Sequence, residues 1–165
     1  MDPTAALLGA LALAAGLITF VNRRHDAKKA AEGLSPDERV ETVWAEHGAD
    51  DDPAELGARL DTLLDGLDPA TLAQKSSVIA LAIMAARAER FALLPALADR
   101  AAGLDGGCGE TAALSVLAEA CAGDPERARA MYLETQSSIA GCGACGSAGP
   151  GRYLMQELAL HLEGR

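Results

Sequence analysis

Residues 76–86, SSVIALAIMAA, form a run of eleven residues without a charge, and this run decides the fold. A membrane-spanning helix needs about 20 apolar residues, so the run is too short to cross a bilayer. It lacks the polar face of a surface helix. We therefore predict a helix buried at the centre of the domain, with the other helices packed around it.

The composition of the whole chain also favours helices. Ala and Leu together supply 60 of the 165 residues, whereas Val, Ile and Thr supply 16. Ala and Leu are good helix formers, and β-branched residues are the ones that favour strands. No stretch alternates as a strand would. We predict an all-α protein whose core consists mainly of Leu and Ala.

The charge balance excludes one class of partner. The net charge is −10, and after residue 33 the chain has 10 basic and 21 acidic residues, a net charge of −11. Such a domain repels phosphate backbones and anionic head groups. We predict that it binds no nucleic acid.

A second apolar run, TAALLGALALAAGLITFV, occupies residues 4–21 and has no charge. As a helix it would be about 27 Å long, close to the thickness of the hydrocarbon core of a bilayer. No Lys or Arg precedes it, which disfavours a cleaved signal peptide. A buried helix of the domain is the alternative. We predict a single transmembrane anchor in the segment 1–33, with these lipid-facing residues: Leu7, Leu8, Leu11, Leu13, Leu17, Ile18 and Phe20.

The basic residues after this run predict its orientation. Arg23, Arg24, Lys28 and Lys29 follow the apolar run within eight residues. Basic residues remain on the cytoplasmic side of a membrane. We therefore expect a single-pass protein of the cell membrane with its N-terminus outside and its domain in the cytoplasm. A translocated domain is the competing topology.

Residues 34–165 form the predicted acidic α-helical domain, with a loop rich in Gly and Cys at 141–151. Four pairs of a capping residue and a proline predict helix starts, because Ser or Asp suits the N-cap and Pro suits the first helical position. These pairs are Ser35-Pro36, Asp52-Pro53, Asp68-Pro69 and Asp124-Pro125. Further helices are expected near Leu94, Glu110 and Pro150.

A weak internal repeat relates residues 81–104 to residues 114–139, with an offset of 33 to 34 residues. Leu81, Met84 and Ala85 then align with Leu114, Leu117 and Ala118. Together with Leu67-Asp68-Pro69, this period resembles the tetratricopeptide repeat family over residues 35–140. The resemblance implies three antiparallel helical hairpins, a capping helix, and a groove that binds peptides or proteins without catalysis. A generic helical bundle is the alternative.

The chain has four cysteines, and two of them form a Cys-x-x-Cys pair, Cys142 and Cys145. This spacing occurs in redox dithiols and in zinc or iron knuckles. In an antiparallel hairpin Cys108 would lie at the same end, so Cys108, Cys142 and Cys145 are candidate ligands of zinc or iron. Reduced thiols in a loop are one alternative. A disulfide, from Cys108 to Cys142 or Cys145 or within the pair, is the other, and it requires an oxidising compartment. Cys121 would lie about 20 Å away along its helix, as an inert buried thiol.

The sequence shows no constellation typical of an enzyme. There is no phosphate-binding loop, and the three histidines are scattered along the chain. We predict no catalysis and no resident cofactor other than a possible metal. The expected function is that of a membrane-anchored helical adaptor or accessory subunit, whose partners are other membrane or cytoplasmic proteins and the lipid bilayer. The alternative is a thiol–disulfide or metal-binding redox protein that uses Cys142 and Cys145.

Overall fold

A computed structural model describes residues 33–48, 52–104, 108–143 and 149–163. These ranges contain no strand, so the all-α prediction is confirmed for the part of the chain that is described. Two short 3₁₀ turns, Pro69–Thr71 and Phe91–Leu93, accompany the α-helices. The α-helices are α1 (Pro36–His47), α2 (Pro53–Leu64), α3 (Lys75–Arg87), α4 (Leu94–Leu104), α5 (Gly109–Ala122), α6 (Pro125–Ala140) and α7 (Pro150–Leu162).

The uncharged run at residues 76–86 lies in α3, the central helix. Every residue from Ser77 to Ala86 is buried, and only Ser76 at the start of the run is exposed. α3 contacts α1, α2, α4, α5 and α7. A helix that is apolar on every face needs neighbours on every face, and α3 has them. The prediction of a buried central helix is confirmed.

The remaining helices pack as successive neighbours around α3 and α5. α1 packs on α2, α3 on α4, and α5 on α6, while α7 packs on both α3 and α5. Trp44 of α1 and Tyr153 of α7 make an edge-to-face contact, with 5.4 Å between ring centroids. α5 therefore lies between helices on several sides, and its two ends face different neighbours.

Most of the predicted helix starts are confirmed. α1, α2, α6 and α7 each begin at a proline. The carboxylate of Asp52 accepts a hydrogen bond from the backbone N–H of Ala54 at 2.9 Å, and the carboxylate of Asp124 accepts one from Glu126 at 2.8 Å. These local interactions satisfy backbone donors that the first helical turn leaves unpaired.

The predicted start at Asp68-Pro69 is wrong for the central helix. This pair opens only a 3₁₀ turn, and α3 begins six residues later, at Lys75. The cause is a long-range contact, because the carboxylate of Asp37 accepts the backbone N–H groups of Ala73 and Gln74 at 3.0 and 2.9 Å. These bonds hold the chain extended just before α3.

The carboxylate of Asp37 is buried with its partners. Burial by itself would raise the pKa of Asp37, but the hydrogen bonds from Ala73, Gln74 and Ser77 and the charge of Arg100 outweigh it and lower the pKa. Arg100 also donates from its guanidinium Nε to the carbonyl oxygen of Leu72 at 2.7 Å. α1 and α4 thus jointly fix the segment that leads into α3.

The chain divides after Ser35 into two units, Met1–Ser35 and Pro36–Arg165. The predicted anchor and its flanking charges lie outside the described residues: Leu7, Leu8, Leu11, Leu13, Leu17, Ile18, Phe20, Arg23, Arg24, Lys28 and Lys29. Among the residues that are described, no helix is both long enough and apolar enough to span a membrane.

Candidate thiol site

The start of α5 and the end of α6 meet at a very close backbone approach. A Cβ atom added to Gly109 would lie 2.7 Å from the carbonyl oxygen of Ser138 and 3.0 Å from the Cα of Ile139. It would also lie 2.4 Å from the Cβ of Cys142. Only glycine fits here, and the approach places Cys142 beside the first turn of α5. This agrees with the expectation that Cys108 and Cys142 share one end of the hairpin.

The same contact limits the distance between the two cysteines. A Cα–Cβ bond is about 1.5 Å and consecutive Cα atoms are about 3.8 Å apart, so the Cβ of Cys142 lies within about 8 Å of the Cα of Cys108. A disulfide joins residues whose Cα atoms are roughly 4.4–6.8 Å apart. The Cα atoms of Cys108 and Cys142 are therefore at most about 9 Å apart, and a disulfide forms where their separation falls in the lower part of this range.

Cys108 is the N-cap residue of α5 and is half-buried. Its Sγ lies 3.3 Å from the Nζ of Lys75, which donates to it, and 3.3 Å from the Oγ1 of Thr111. Lys75 is also paired with Glu110, at 3.0 Å between Nζ and Oε2. The thiol thus has a cation from α3 and a hydroxyl from α5 as direct neighbours.

These neighbours favour the thiolate form of Cys108. Burial alone would raise the pKa of the thiol, but the hydrogen bonds from the hydroxyl and backbone N–H of Thr111, together with the hydrogen bond and charge of Lys75, outweigh it and lower the pKa. The N-terminus of α5 acts in the same direction, since its unpaired N–H groups carry partial positive charge. The site resembles those in which cysteines react as nucleophiles.

Cys121, in the last turn of α5, has the opposite surroundings. It is half-buried, and burial, with a further contribution from the charge of Glu157, raises the pKa of its thiol to about 12. It lines a cavity of about 480 Å³ together with residues of α3 and α7. A thiol in this state is protonated at neutral pH and unreactive, in line with the inert role expected from the sequence.

The charged groups in that cavity serve to join helices. The guanidinium of Arg87 donates to Glu157 and to the carbonyl oxygen of Gly48, both at 2.6 Å, and lies 5.4 Å from the ring centroid of Tyr153. Each donor and acceptor thus connects α3 with α7 or with the end of α1. His161 is in edge-to-face contact with Phe91 at 5.7 Å between ring centroids. The arrangement is that of a structural cluster.

The structure describes two of the three predicted metal ligands. Cys108 and Cys142 come together, and Cys145 lies outside the described residues. In the described part of the chain, no group of three or more His, Cys, Asp or Glu side chains is placed to hold a metal ion. A zinc or iron site therefore stays a prediction.

Sequence reasoning missed two residues of the site, Lys75 and Thr111. Thr111 carries a local signal, because it stands three residues after an N-cap, where its backbone N–H faces the capping side chain. Lys75 carries none, since it is 33 residues from Cys108 and reaches it only through the packing of α3 on α5.

Comparison with known proteins finds no family model, curated protein or solved structure that matches this chain, so function has to be inferred from the site itself.

Proposed function

We propose that this protein is a thiol-based redox protein, in which thiols at the shared end of α5 and α6 are oxidised and reduced while the helical domain remains folded. The observation that carries the proposal is the contact of Gly109 with Cys142, which places Cys142 beside the first turn of α5, where Cys108 is the N-cap residue. The sequence suggested a couple within the pair Cys142 and Cys145. The close approach adds Cys108 to it.

The position of the thiols suits reversible chemistry. Cys108 precedes α5 and Cys142 follows α6, so both lie at helix ends and outside the helical body. Neither belongs to the fully buried core, which is formed by residues such as Leu114 and Leu117 of α5. Joining the two sulfur atoms would link the ends of the hairpin at the edge of the core, against which Cys142 packs.

Redox titration of the full-length chain, purified in mild detergent, tests this function. The protein is equilibrated with dithiothreitol buffers of increasing disulfide fraction, and each cysteine is scored by alkylation and mass spectrometry. We expect one reversible two-electron transition that involves Cys108, Cys142 or Cys145 and leaves Cys121 reduced. Circular dichroism should be the same on both sides of the transition.

Two results would contradict the redox function. One is that all four thiols remain reduced throughout the titration. The other is that thiols are lost only when the helical signal is lost as well. Elemental analysis of the same samples separates the metal-binding alternative, because bound zinc or iron that disappears in a Cys142→Ser, Cys145→Ser variant would favour it.

A second candidate function is the membrane-anchored adaptor expected from the sequence. The observation that favours it is the outer surface of α6, where the side chain of Leu133 is 71% exposed and only Ala128 and Ile139 are buried. α6 thus has a mostly exposed outer surface, which is accessible to another protein. Under this proposal the apolar run at residues 4–21 holds the domain at the membrane.

Cell fractionation tests whether the apolar run at residues 4–21 anchors the domain to the membrane. Full-length protein should sediment with membranes, and a variant that lacks residues 1–21 should be soluble and still helical by circular dichroism. Recovery of the full-length chain as a soluble monomer without detergent would contradict the anchor. Thiol labelling before and after permeabilisation of the cells reports the orientation, since a cytoplasmic domain is labelled only afterwards.

A further inference from the structure

We propose that Cys108 is the attacking thiolate of the redox couple, that Cys142 is the thiol that resolves it, and that the oxidant is a small neutral hydroperoxide. This assignment rests on the proposed redox function and deepens it, because it gives each sulfur atom a role and names the class of substrate.

The role of Cys108 follows from the groups that face its sulfur atom. The Nζ of Lys75 and the Oγ1 of Thr111 both lie 3.3 Å from Sγ, at the N-terminus of α5. The ion pair between Lys75 and Glu110 has side chains that are only 25% and 10% exposed, so solvent screens it little. Lys75 is a positioning residue, which holds a positive charge at the sulfur atom.

The role of Cys142 follows from its position beside the first turn of α5. Cys142 lies two residues after the last residue of α6, Ala140, and its backbone N–H donates to the carbonyl oxygen of Ile139 at 3.1 Å. A Cβ atom added to Gly109, the residue after Cys108, would lie 2.4 Å from the Cβ of Cys142. Among the cysteines that the structure describes, Cys142 is therefore the one placed next to Cys108, and it suits the second step.

The charge of the domain selects the oxidant. After residue 33 the chain carries 10 basic and 21 acidic residues, and Glu110 lies next to the site. An anionic disulfide such as oxidised glutathione is repelled by this field, and a bulky disulfide must also reach a half-buried sulfur atom. A neutral hydroperoxide meets neither obstacle.

The proposed reaction has two balanced steps. The thiolate of Cys108 attacks the terminal peroxide oxygen, so that an S–O bond forms and the O–O bond breaks. The leaving hydroxide, or the alkoxide of an organic hydroperoxide, takes a proton from solvent to become water or an alcohol. The thiol of Cys142 then attacks the sulfenic acid. An S–S bond forms, the S–O bond breaks, and the second hydroxide leaves as water with the proton from Cys142. The two thiols supply the two electrons that reduce the peroxide.

Peroxide oxidation of the full-length chain in detergent tests the assignment. One equivalent of hydrogen peroxide is added at pH 7, and the products are mapped by mass spectrometry of alkylated peptides. We expect a disulfide between Cys108 and Cys142 in the wild type. In Cys142→Ser, dimedone should trap a sulfenic acid on Cys108.

Two further variants examine the role of Lys75. Lys75→Met should slow the reaction roughly three- to fivefold, because loss of the cation raises the pKa of the Cys108 thiol and so reduces the amount of thiolate, while greater nucleophilicity offsets part of this. Lys75→Arg, which keeps the charge, should restore most of the rate. Cys121→Ser and Arg59→Met are the controls, and both should react at the wild-type rate.

The possible failures are distinguishable. A disulfide between Cys142 and Cys145 that forms at the wild-type rate in Cys108→Ser would overturn the roles and leave the redox function intact. If oxidised glutathione oxidised the thiols faster than peroxide does, the proposal that the oxidant is a hydroperoxide would be refuted. Thiols that respond to neither reagent, nor to the dithiothreitol titration, would overturn the redox function as well.

Discussion

Cys108 and Cys121 stand at the two ends of α5, about 20 Å apart, and they are the same chemical group in opposite surroundings. At the N-terminal end, the surroundings lower the pKa of the thiol, because two hydrogen bonds from Thr111 and the charge of Lys75 outweigh burial. At the C-terminal end, burial and the charge of Glu157 raise the pKa to about 12. The difference shows that the neighbours of a cysteine, rather than its burial alone, decide its reactivity.

The two ends also use their cations differently. Arg87, beside Cys121, is bound to Glu157 and to the carbonyl oxygen of Gly48, so its charge serves to join helices. Lys75, beside Cys108, is bound to Glu110 and to the sulfur atom itself. We therefore expect substitutions at the Cys121 end to change stability alone, and substitutions at the Cys108 end to change the reactivity of Cys108 as well.

The largest effect on stability is expected for Arg87→Met. The substitution leaves Glu157, whose side chain is 8% exposed, without its cation, and breaking such a buried pair costs about 3 kcal/mol or more. Chemical denaturation measures the loss. The rate of alkylation of Cys108 in the folded variant should be unchanged, and a slower Cys108 would contradict the separation of the two ends.

The next largest loss of stability is expected for Gly109→Ala. The added methyl group would lie 2.4 Å from the Cβ of Cys142 and 2.7 Å from a backbone carbonyl oxygen, so α6 has to move, at a cost of about 2–3 kcal/mol. Gly103→Ala in α4 is the matched control. No atom lies within 4 Å of its added methyl group, and alanine there should stabilise the helix by about 0.5–1 kcal/mol.

The same two glycine variants test whether the close approach of α5 and α6 places Cys108 near Cys142. Peroxide should form the disulfide between Cys108 and Cys142 more slowly in Gly109→Ala, because the separation of the helix ends increases. In Gly103→Ala it should form at the wild-type rate. If Gly109→Ala were as stable and as readily oxidised as the wild type, the close approach of α5 and α6 would be refuted.

Asp37→Asn is expected to cost about 2 kcal/mol, because an amide cannot accept both backbone N–H groups that the carboxylate accepts. The pKa of Asp37 is lower in the folded protein than its ordinary value, 3.8. Its contribution to stability is therefore complete above that value, and it is lost as the pH falls through the folded-state pKa.

Unfolding by urea at a series of pH values checks this prediction. Wild type and Asp37→Asn should differ most at neutral pH and converge in acid. A difference that did not change with pH would mean that the charge of Asp37 is not responsible. Because Asp37 fixes the segment just before Lys75, the variant should also slow the alkylation of Cys108.

Lys75→Met leaves Glu110, whose side chain is 10% exposed, without its cation, so it should also destabilise the fold. Its effect on the rate at Cys108, measured in the folded variant, is the smallest effect that we expect. The alkylation of Cys108 at pH 7 should slow roughly three- to fivefold, which corresponds to about 1 kcal/mol, and that of Cys121 should not change. Arg59→Met, which removes a cation from an exposed pair on α2, is the control and should affect neither thiol. An equal effect of both variants would indicate a general change in charge instead of a local contact.

Local patterns in the sequence predicted much of the fold. The uncharged run at 76–86 predicted the central helix, and proline after a capping residue predicted the starts of α1, α2 and α6. The start of α3 was missed because Asp37, 36 residues before Ala73, decides it. A carboxylate that bonds the backbone of a distant segment leaves no local signal.

The candidate site was predictable to a similar degree. The antiparallel course of α5 and α6 indicated that Cys108 and Cys142 share one end, and the structure agrees. The role of Lys75 could not be predicted, because it depends on how α3 packs against α5. From the sequence alone, the spacing of Cys142 and Cys145 indicated the loop as the reactive site. The contact of Lys75 with the sulfur atom of Cys108 indicates Cys108 instead.

The pH dependence of alkylation of all four thiols in the folded chain tests the central claim most directly. Cys108 is faced by Lys75, Thr111, Glu110 and Cys142, and the pKa of its thiol is below 9.0, whereas that of Cys121 is about 12. The lower pKa gives Cys108 more thiolate than Cys121 at pH 7, and the lower nucleophilicity of a more acidic thiolate offsets only part of this advantage. We predict that Cys108 reacts much faster than Cys121, with a profile that Lys75→Met shifts to higher pH. Equal rates for the two thiols, or a Cys108 profile centred at 9 or above and unmoved by Lys75→Met, would contradict the account.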